Sequence, residues 1–373
     1  MTAPLPASAP LRRSYLDWLR GLAVLIMIEA HVFDSWTRYP DDRTREFAYA
    51  MILGGFGAPL FLFLAGVVVP LSAGSKLRKS GDATAAATAV AKRGLQIFGL
   101  AFVFRAQAWI LGWADPRDLL RVDILNIMGP SMMAAAAIWG LARSTLSRTA
   151  LLATATLATV IVSPLVRVLP GLAVLPDPLE AYVRPTAPYT HFVLFPWSAF
   201  VFAGALIGCI LDAARTTQQE RKVNIAFAAA GIAVAFIAYQ ASFRPSVLPA
   251  SLPSSNFWTT STSFFFIRAG LIVAAIGAAW MWETRSGAAG KWSPMRQFGR
   301  TSLFIYWIHV ELVYGFFSWN LRKSLSWGST WIAYAAFVVL MLGCSIAKDR
   351  FVDWKRGRVP VRPSSAGVEI IRS

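Results

Sequence analysis

Five ionisable side chains stand within one apolar run of this 373-residue chain: Asp17, Arg20, Glu29, His31 and Asp34. Ionisable groups in hydrocarbon are costly and persist where they face protein, a cavity or a partner. An imidazole titrates near neutral pH and accepts a proton from a hydroxyl or an amine, which makes His31 the candidate general base. Asp34, three residues on, is placed to orient that ring and stabilise its protonated form, as carboxylates do in acyl-transfer sites. Eleven residues from Arg20 to His31 come to roughly three helical turns plus 20°, so the two share a face about 16 Å apart along the axis. A guanidinium there suits an anionic headgroup or the phosphates of a cytoplasmic cofactor. An interfacial anchor paired with Asp17 fits Arg20 too, and a histidine bonded to a neighbouring carbonyl fits His31 equally well. Glu29 points to the opposite side.

A second set comprises Glu29, Arg105, His309 and Glu311, which helical rise places near mid-bilayer. Isolated charges there are expensive, so Arg105 is expected to pair with Glu29 or Glu311. Ser302, Tyr306 and His309 follow i, i+4, i+7 spacing, giving one polar stripe on an otherwise apolar helix. The stripe suits a cleft wall that donates to a developing oxyanion, or hydrogen bonds between helices. His191 opens an apolar run and reads as interfacial.

These residues need a membrane to position them. The chain is 56% hydrophobic with a mean hydropathy of +0.52, and its repeated apolar runs are long enough to span a bilayer. The fold class is therefore all-α: a polytopic integral membrane protein with about ten transmembrane helices. Expected spans are 16–35, 48–71, 94–113, 123–142, 149–166, 191–211, 223–241, 262–282, 299–319 and 329–347. Gly54-Gly55-Phe56-Gly57-Ala58-Pro59 interrupts the second span, as a broken helix lining a cavity or as small residues for close packing. A net charge of +17 would suggest nucleic acid in a soluble chain. Here 23 Lys and Arg lie in the tails and alternate loops on one side against 10 in the opposite loops. That asymmetry puts both termini in the cytoplasm and excludes a nucleic-acid partner as its explanation. Trp36, Trp109, Trp113, Trp280, Trp282 and Trp319 sit at span ends, as interfacial anchors do. Cys209 and Cys344 are the only cysteines and lie inside apolar runs, so no disulfide framework or metal site follows. The expected organisation is a disordered tail over 1–14, one membrane domain over 15–347 and a basic cytoplasmic tail over 348–373.

Arg20, ten residues, then His31, within Leu16-Asp17-Trp18-Leu19-Arg20-Gly21-Leu22-Ala23, resembles the first helix of the transmembrane acyltransferase superfamily. The arginine–ten–histidine pair is the signature of its acyltransferase type 3 branch, where the histidine is catalytic. Other stretches are similar to the heparan-α-glucosaminide N-acetyltransferase branch. Ala58-Pro59-Leu60-Phe61-Leu62-Phe63-Leu64-Ala65-Gly66 resembles its second helix, and Ile124-Leu125-Asn126-Ile127-Met128-Gly129 its Leu-Gln-Arg-Leu-Gly helix start. Phe195-Pro196-Trp197, with Gly204 and Gly208, resembles its Pro-Trp helix. Gly299 to Ser302, Tyr306, His309, Phe316 and Trp319 resemble its late Gly-x-x-Ser…Tyr-x-x-His helix. The resemblance runs from about 15 to 347. In the heparan enzyme the reactive histidine lies in the loop after the first helix, and this chain has no histidine between Val32 and Thr190. The catalytic role therefore carries over only onto His31, and the heparan substrate does not carry over.

The resemblance implies an acyltransferase that takes an acyl group, in the first place acetyl, from cytoplasmic acetyl-CoA. The acceptor implied is a sugar hydroxyl or amine, a glycan or other small envelope molecule. The expected catalytic set is His31, Asp34 and His309. The expected donor-binding set is Arg20, Arg105, Ser302 and Tyr306, with the donor phosphates near Arg20 and the basic 76–93 loop. No metal is expected, an oligomer is compatible, and the expected location is a bacterial inner membrane. Buried charges on ten helices also suit the rival class, a proton-coupled transporter or flippase.

Overall fold

The structure is a computed structural model that describes residues 13–112, 115–244, 258–287 and 291–357. Residues 1–12 of the expected N-terminal tail, Trp113, most of the 242–261 loop and the chain beyond Gly357 lie outside the described residues. The first half contributes α1 (Ser14–Trp36), α2 (Arg45–Gly54), α3 (Gly57–Ser80), α4 (Ala83–Gly112), α5 (Ile124–Leu141) and α6 (Thr145–Val166). The short α7 (Asp177–Glu180) precedes α8 (Leu194–Ala213), α9 (Thr217–Ala241) and α10 (Thr262–Ser286). The chain then forms α11 (Pro294–Arg300), α12 (Ser302–Tyr314) and α13 (Trp327–Gly357). No strand forms among the described residues, only the isolated bridges Thr37–Leu325 and Val122–Thr190.

Eight of these segments are long and apolar enough to cross a membrane, with α2 and α3 counted as one. The protein is an all-α polytopic membrane protein. The two other expected spans correspond to α1, which carries Asp17, Arg20, Glu29 and Asp34, and to α11 with the 13-residue α12. The second span is indeed broken: α2 ends at Gly54 and α3 starts at Gly57. The last helix runs past the expected boundary at 347 to Gly357, because the polar stretch Ala347–Trp354 lacks Gly and Pro and continues the turn.

Successive segments alternate between two ends, and side chains tie each end together. At the end holding Ser14, Arg13 pairs with Glu220 (3.0 Å) and Arg78 with Asp212 (3.1 Å). At the opposite end Lys323 pairs with Asp42 (3.2 Å), and the Arg38 N–H donates to the Leu325 carbonyl. Local signals set the helix starts: Asp123 with Asn126, Ser144 with Ser147 and Thr216 with Gln219 form reciprocal caps for α5, α6 and α9.

Helix α1 runs through the middle of the bundle, packed on α2, α3, α10, α11, α12 and α13. Leu19, Ala23, Val24, Ile28, Val32 and Phe33 are almost wholly buried along it. Its seam with α11 is closed by glycine. A Cβ on Gly299 would lie 1.8 Å from the Asp17 carbonyl oxygen, and one on Gly21 would lie 1.9 Å from that of Met295. Only glycine permits that approach. Trp36 is buried rather than interfacial; its indole N–H donates to the Val313 carbonyl (3.1 Å) and pins α1 to α12. Trp109, Trp282 and Trp319 are exposed, as anchors would be.

Candidate active site

The site forms where α1 and α12 cross near the end opposite Ser14. The His31 Nδ1 and His309 Nε2 atoms lie 3.0 Å apart. The ring planes differ by 7° and the centroids are 5.1 Å apart, so the rings lie edge to edge in nearly one plane. His309 is completely buried, and its Nδ1 sits 2.8 Å from the Ile305 carbonyl oxygen. A carbonyl can only accept, so Nδ1 of His309 carries the proton. The Nε2 atom of neutral His309 is then an acceptor, and Nδ1–H of His31 must be its donor. That chain of roles leaves the His31 Nε2 lone pair as the basic nitrogen. His31 is half-buried, whereas its partner is wholly buried.

Expected partners are placed differently. Asp34 does not hold the His31 ring: it is exposed and accepts from the Tyr314 hydroxyl (2.9 Å), whose ring meets the imidazole edge-on at 5.5 Å. Three residues at about 100° each leave Asp34 roughly 60° off the His31 direction, beside Tyr314, and His309 takes the Nδ1 position instead. Arg105 does not bond to Glu29 or Glu311; its Nη2 lies 2.9 Å from Asp123 Oδ2. The long α4 carries Arg105 past the N-terminus of α5, where the capping carboxylate is the nearer acceptor. Glu29, 3% exposed, has no hydrogen-bond partner on either oxygen among the described residues and lies against Gly54.

Asp123 is the hub that helix-by-helix reasoning missed. Its Oδ2 accepts from Arg105 on α4 and from the Tyr306 hydroxyl on α12 (3.2 Å). Its Oδ1 accepts the Ile124 N–H at the start of α5 (2.7 Å). Asn126, paired with Asp123 in the cap, donates to the Tyr182 hydroxyl in the 177–193 segment (3.1 Å). The His191 backbone N–H donates to the Val122 carbonyl (3.0 Å), next to Asp123, so the chain's three histidines gather at one end of the bundle. The signal for Asp123 was present as a cap signature, Asp-x-x-Asn before an apolar run. Its cross-helix partners left no trace in the sequence.

The stripe Ser302, Tyr306, His309 divides. Tyr306 and His309 join the network, with ring centroids 6.0 Å apart. Ser302 lies two turns away, about 10 Å along α12 by helical rise, and Tyr306 spends its hydroxyl proton on Asp123. Arg20 stands at the far end of α1, paired with Asp17 (2.7 Å) and 3.4 Å from the Gly299 carbonyl. It binds α1 to α11 and does not approach the histidine pair.

The fold and the site define a class first: a polytopic helical membrane protein whose central helix carries a half-buried histidine relayed to a second one. The sequence pattern of the family described as heparan-α-glucosaminide N-acetyltransferase, catalytic, matches residues 12–239. That is more than half of the chain, and the chain belongs to this family. Membership points to a membrane acetyltransferase. The matched stretch contains His31, Arg105, Asp123 and His191 and ends before α12, which supplies His309. No curated protein matches the chain.

Proposed function

We propose that the protein moves an acyl group, in the first place acetyl, from acyl-CoA on the cytoplasmic side to a hydroxyl or amine that enters from the other side. The carrying observation is the relay from the Ile305 carbonyl through His309 to His31, which leaves His31 Nε2 as a proton acceptor. In the proposed step the acceptor's oxygen or nitrogen attacks the thioester carbonyl while Nε2 of His31 takes its proton. The carbon–sulfur bond then breaks, and the leaving thiolate takes a proton back from the imidazolium, which restores the neutral pair. His309 holds the ring in the tautomer that presents Nε2, a task carboxylates perform elsewhere. A covalent acyl-imidazole formed at Nε2 is the internal variant of the same reading.

The excess of Lys and Arg in the tails and loops on one side supports cytoplasmic termini. The Ser14 end then faces the donor and the histidine end faces the acceptor, in a bacterial inner membrane. A sugar of the cell envelope suits this arrangement, since it would be acylated across a barrier that a charged donor cannot cross. The test is purified protein with radiolabelled acetyl-CoA and an envelope extract as acceptor. Free CoA and a labelled product are expected, and both should vanish in His31→Ala. Label on the protein without acceptor would select the acyl-imidazole variant. The broken α2–α3 segment beside Glu29, which has no hydrogen-bond partner among the described residues, favours a second reading, a proton-coupled carrier. Substrate uptake into vesicles with no CoA release would replace the transferase by that carrier.

A further inference from the structure

A cavity of about 490 Å³ opens at the Ser14 end between the starts of α1 and α9, the end of α10 and α11. It is separate from the histidine pair, because the Gly21 and Gly299 contacts close the α1–α11 seam above it. Its size is that of a small-molecule site. Lys291 and Arg300 are exposed at its wall, Arg296 is buried behind them, and Trp280 and Trp292 offer ring surface.

Each carboxylate of this cavity has a hydrogen-bond or ion-pair partner; among the described residues one such partner lies outside the lining, and only Glu220 faces a cation of the cavity itself. Glu220 accepts from Arg13 and from the Tyr15 hydroxyl (3.0 Å each), and Glu283 accepts from the Ser14 hydroxyl. Asp17 pairs with Arg20. Arg300 stands 3.6 Å from Asp349, beyond good hydrogen-bond length. Lys291 has no carboxylate within pairing distance among the described residues. The lining thus sets Arg13, Lys291, Arg296 and Arg300 against Asp17, Glu220 and Glu283, and the two exposed cations, Lys291 and the loosely paired Arg300, flank an aromatic wall. Phosphate oxygens satisfy such cations with charge-assisted hydrogen bonds.

We propose that this cavity binds a phosphate-bearing ligand, through Lys291 and Arg300. Two sources share that chemistry: the nucleotide end of a soluble donor and the headgroup of an anionic phospholipid. The nucleotide source rests on the acyl-CoA reading. The phosphate site itself does not, because it includes no residue of the histidine network.

The experiment uses the full chain in nanodiscs. One arm titrates ADP into protein in phosphatidylcholine by calorimetry. The other compares thermal unfolding in phosphatidylcholine and in phosphatidylglycerol. Saturable ADP binding, weakened about tenfold or more in Lys291→Gln and in Arg300→Gln, supports a nucleotide. Stabilisation by phosphatidylglycerol that both variants lose, without ADP binding, supports a lipid headgroup. Neither effect, or effects that both variants retain, overturns the proposal. Both positions are exposed, so the substitutions leave the core intact, and melting in phosphatidylcholine verifies it. His31→Gln should bind ADP as wild type does, so loss of acyl transfer and loss of this site are read separately.

Discussion

His31 and His309, 278 residues apart in the chain, share one in-plane hydrogen bond of 3.0 Å. The bond turns two separate candidates into a single device. The His309 ring is fixed by a backbone carbonyl, and the His31 ring is fixed by His309.

Removing the base should remove the chemistry and spare the fold. His31→Gln is expected to lower acyl transfer by about 10²–10⁴-fold, the range for general-base catalysis. Steady-state CoA release measures it. A melting temperature within a few degrees of wild type shows that the bundle is intact.

The relay assigns tautomers that can be read directly. Histidine labelled with nitrogen-15 should show both rings protonated at Nδ1 and unprotonated at Nε2 at neutral pH. His309→Gln should lower kcat and leave the donor KM near its wild-type value, since the ring it removes positions His31 and touches no donor. An Nε2-protonated His31 in the wild type would contradict the assignment.

Asp123 holds α4, α5 and α12 together, so its loss should be structural as well as functional. Asp123→Leu leaves the Arg105 guanidinium, 11% exposed, without its carboxylate. Breaking a buried pair from one side costs about 3–5 kcal/mol. The double variant Arg105→Met/Asp123→Leu should recover part of that loss. Thermal unfolding of the four proteins gives the coupling; additive effects would show that the pair contributes nothing of its own.

The glycine seam makes a sharper stability prediction. Gly299→Ala pushes a methyl into the Asp17 carbonyl, whereas Gly343 on α13 has nothing within 4 Å of its would-be Cβ. Gly299→Ala should cost about 1–3 kcal/mol by overpacking. Gly343→Ala should be neutral or slightly stabilising, by helix propensity. Melting temperatures rank the two, and equal values would mean that α1 and α11 separate freely.

Glu29 offers the reverse case. A buried carboxyl without a partner is a cost to the fold. Glu29→Leu is therefore expected to melt no lower than wild type and to retain acyl transfer. Loss of activity at full stability would give Glu29 a role in moving protons and strengthen the carrier reading.

Membrane class and most segment positions were legible in the amino-acid order, because bilayer thickness sets the length of an apolar run and Gly54–Pro59 announced the break. The sequence by itself also placed His31 inside a span and His309 on a polar stripe, since helical periodicity is local. Pairing is not local. Arg105 looked due for a mid-membrane carboxylate and found the capping Asp123. Asp34 looked due for His31 and found Tyr314, while Trp36, at a span end, turned inward. Each outcome depends on how far helices slide and rotate against one another, which side-chain volumes and glycine contacts across the whole bundle decide. Only the tertiary structure could therefore show that the base is held by a second histidine.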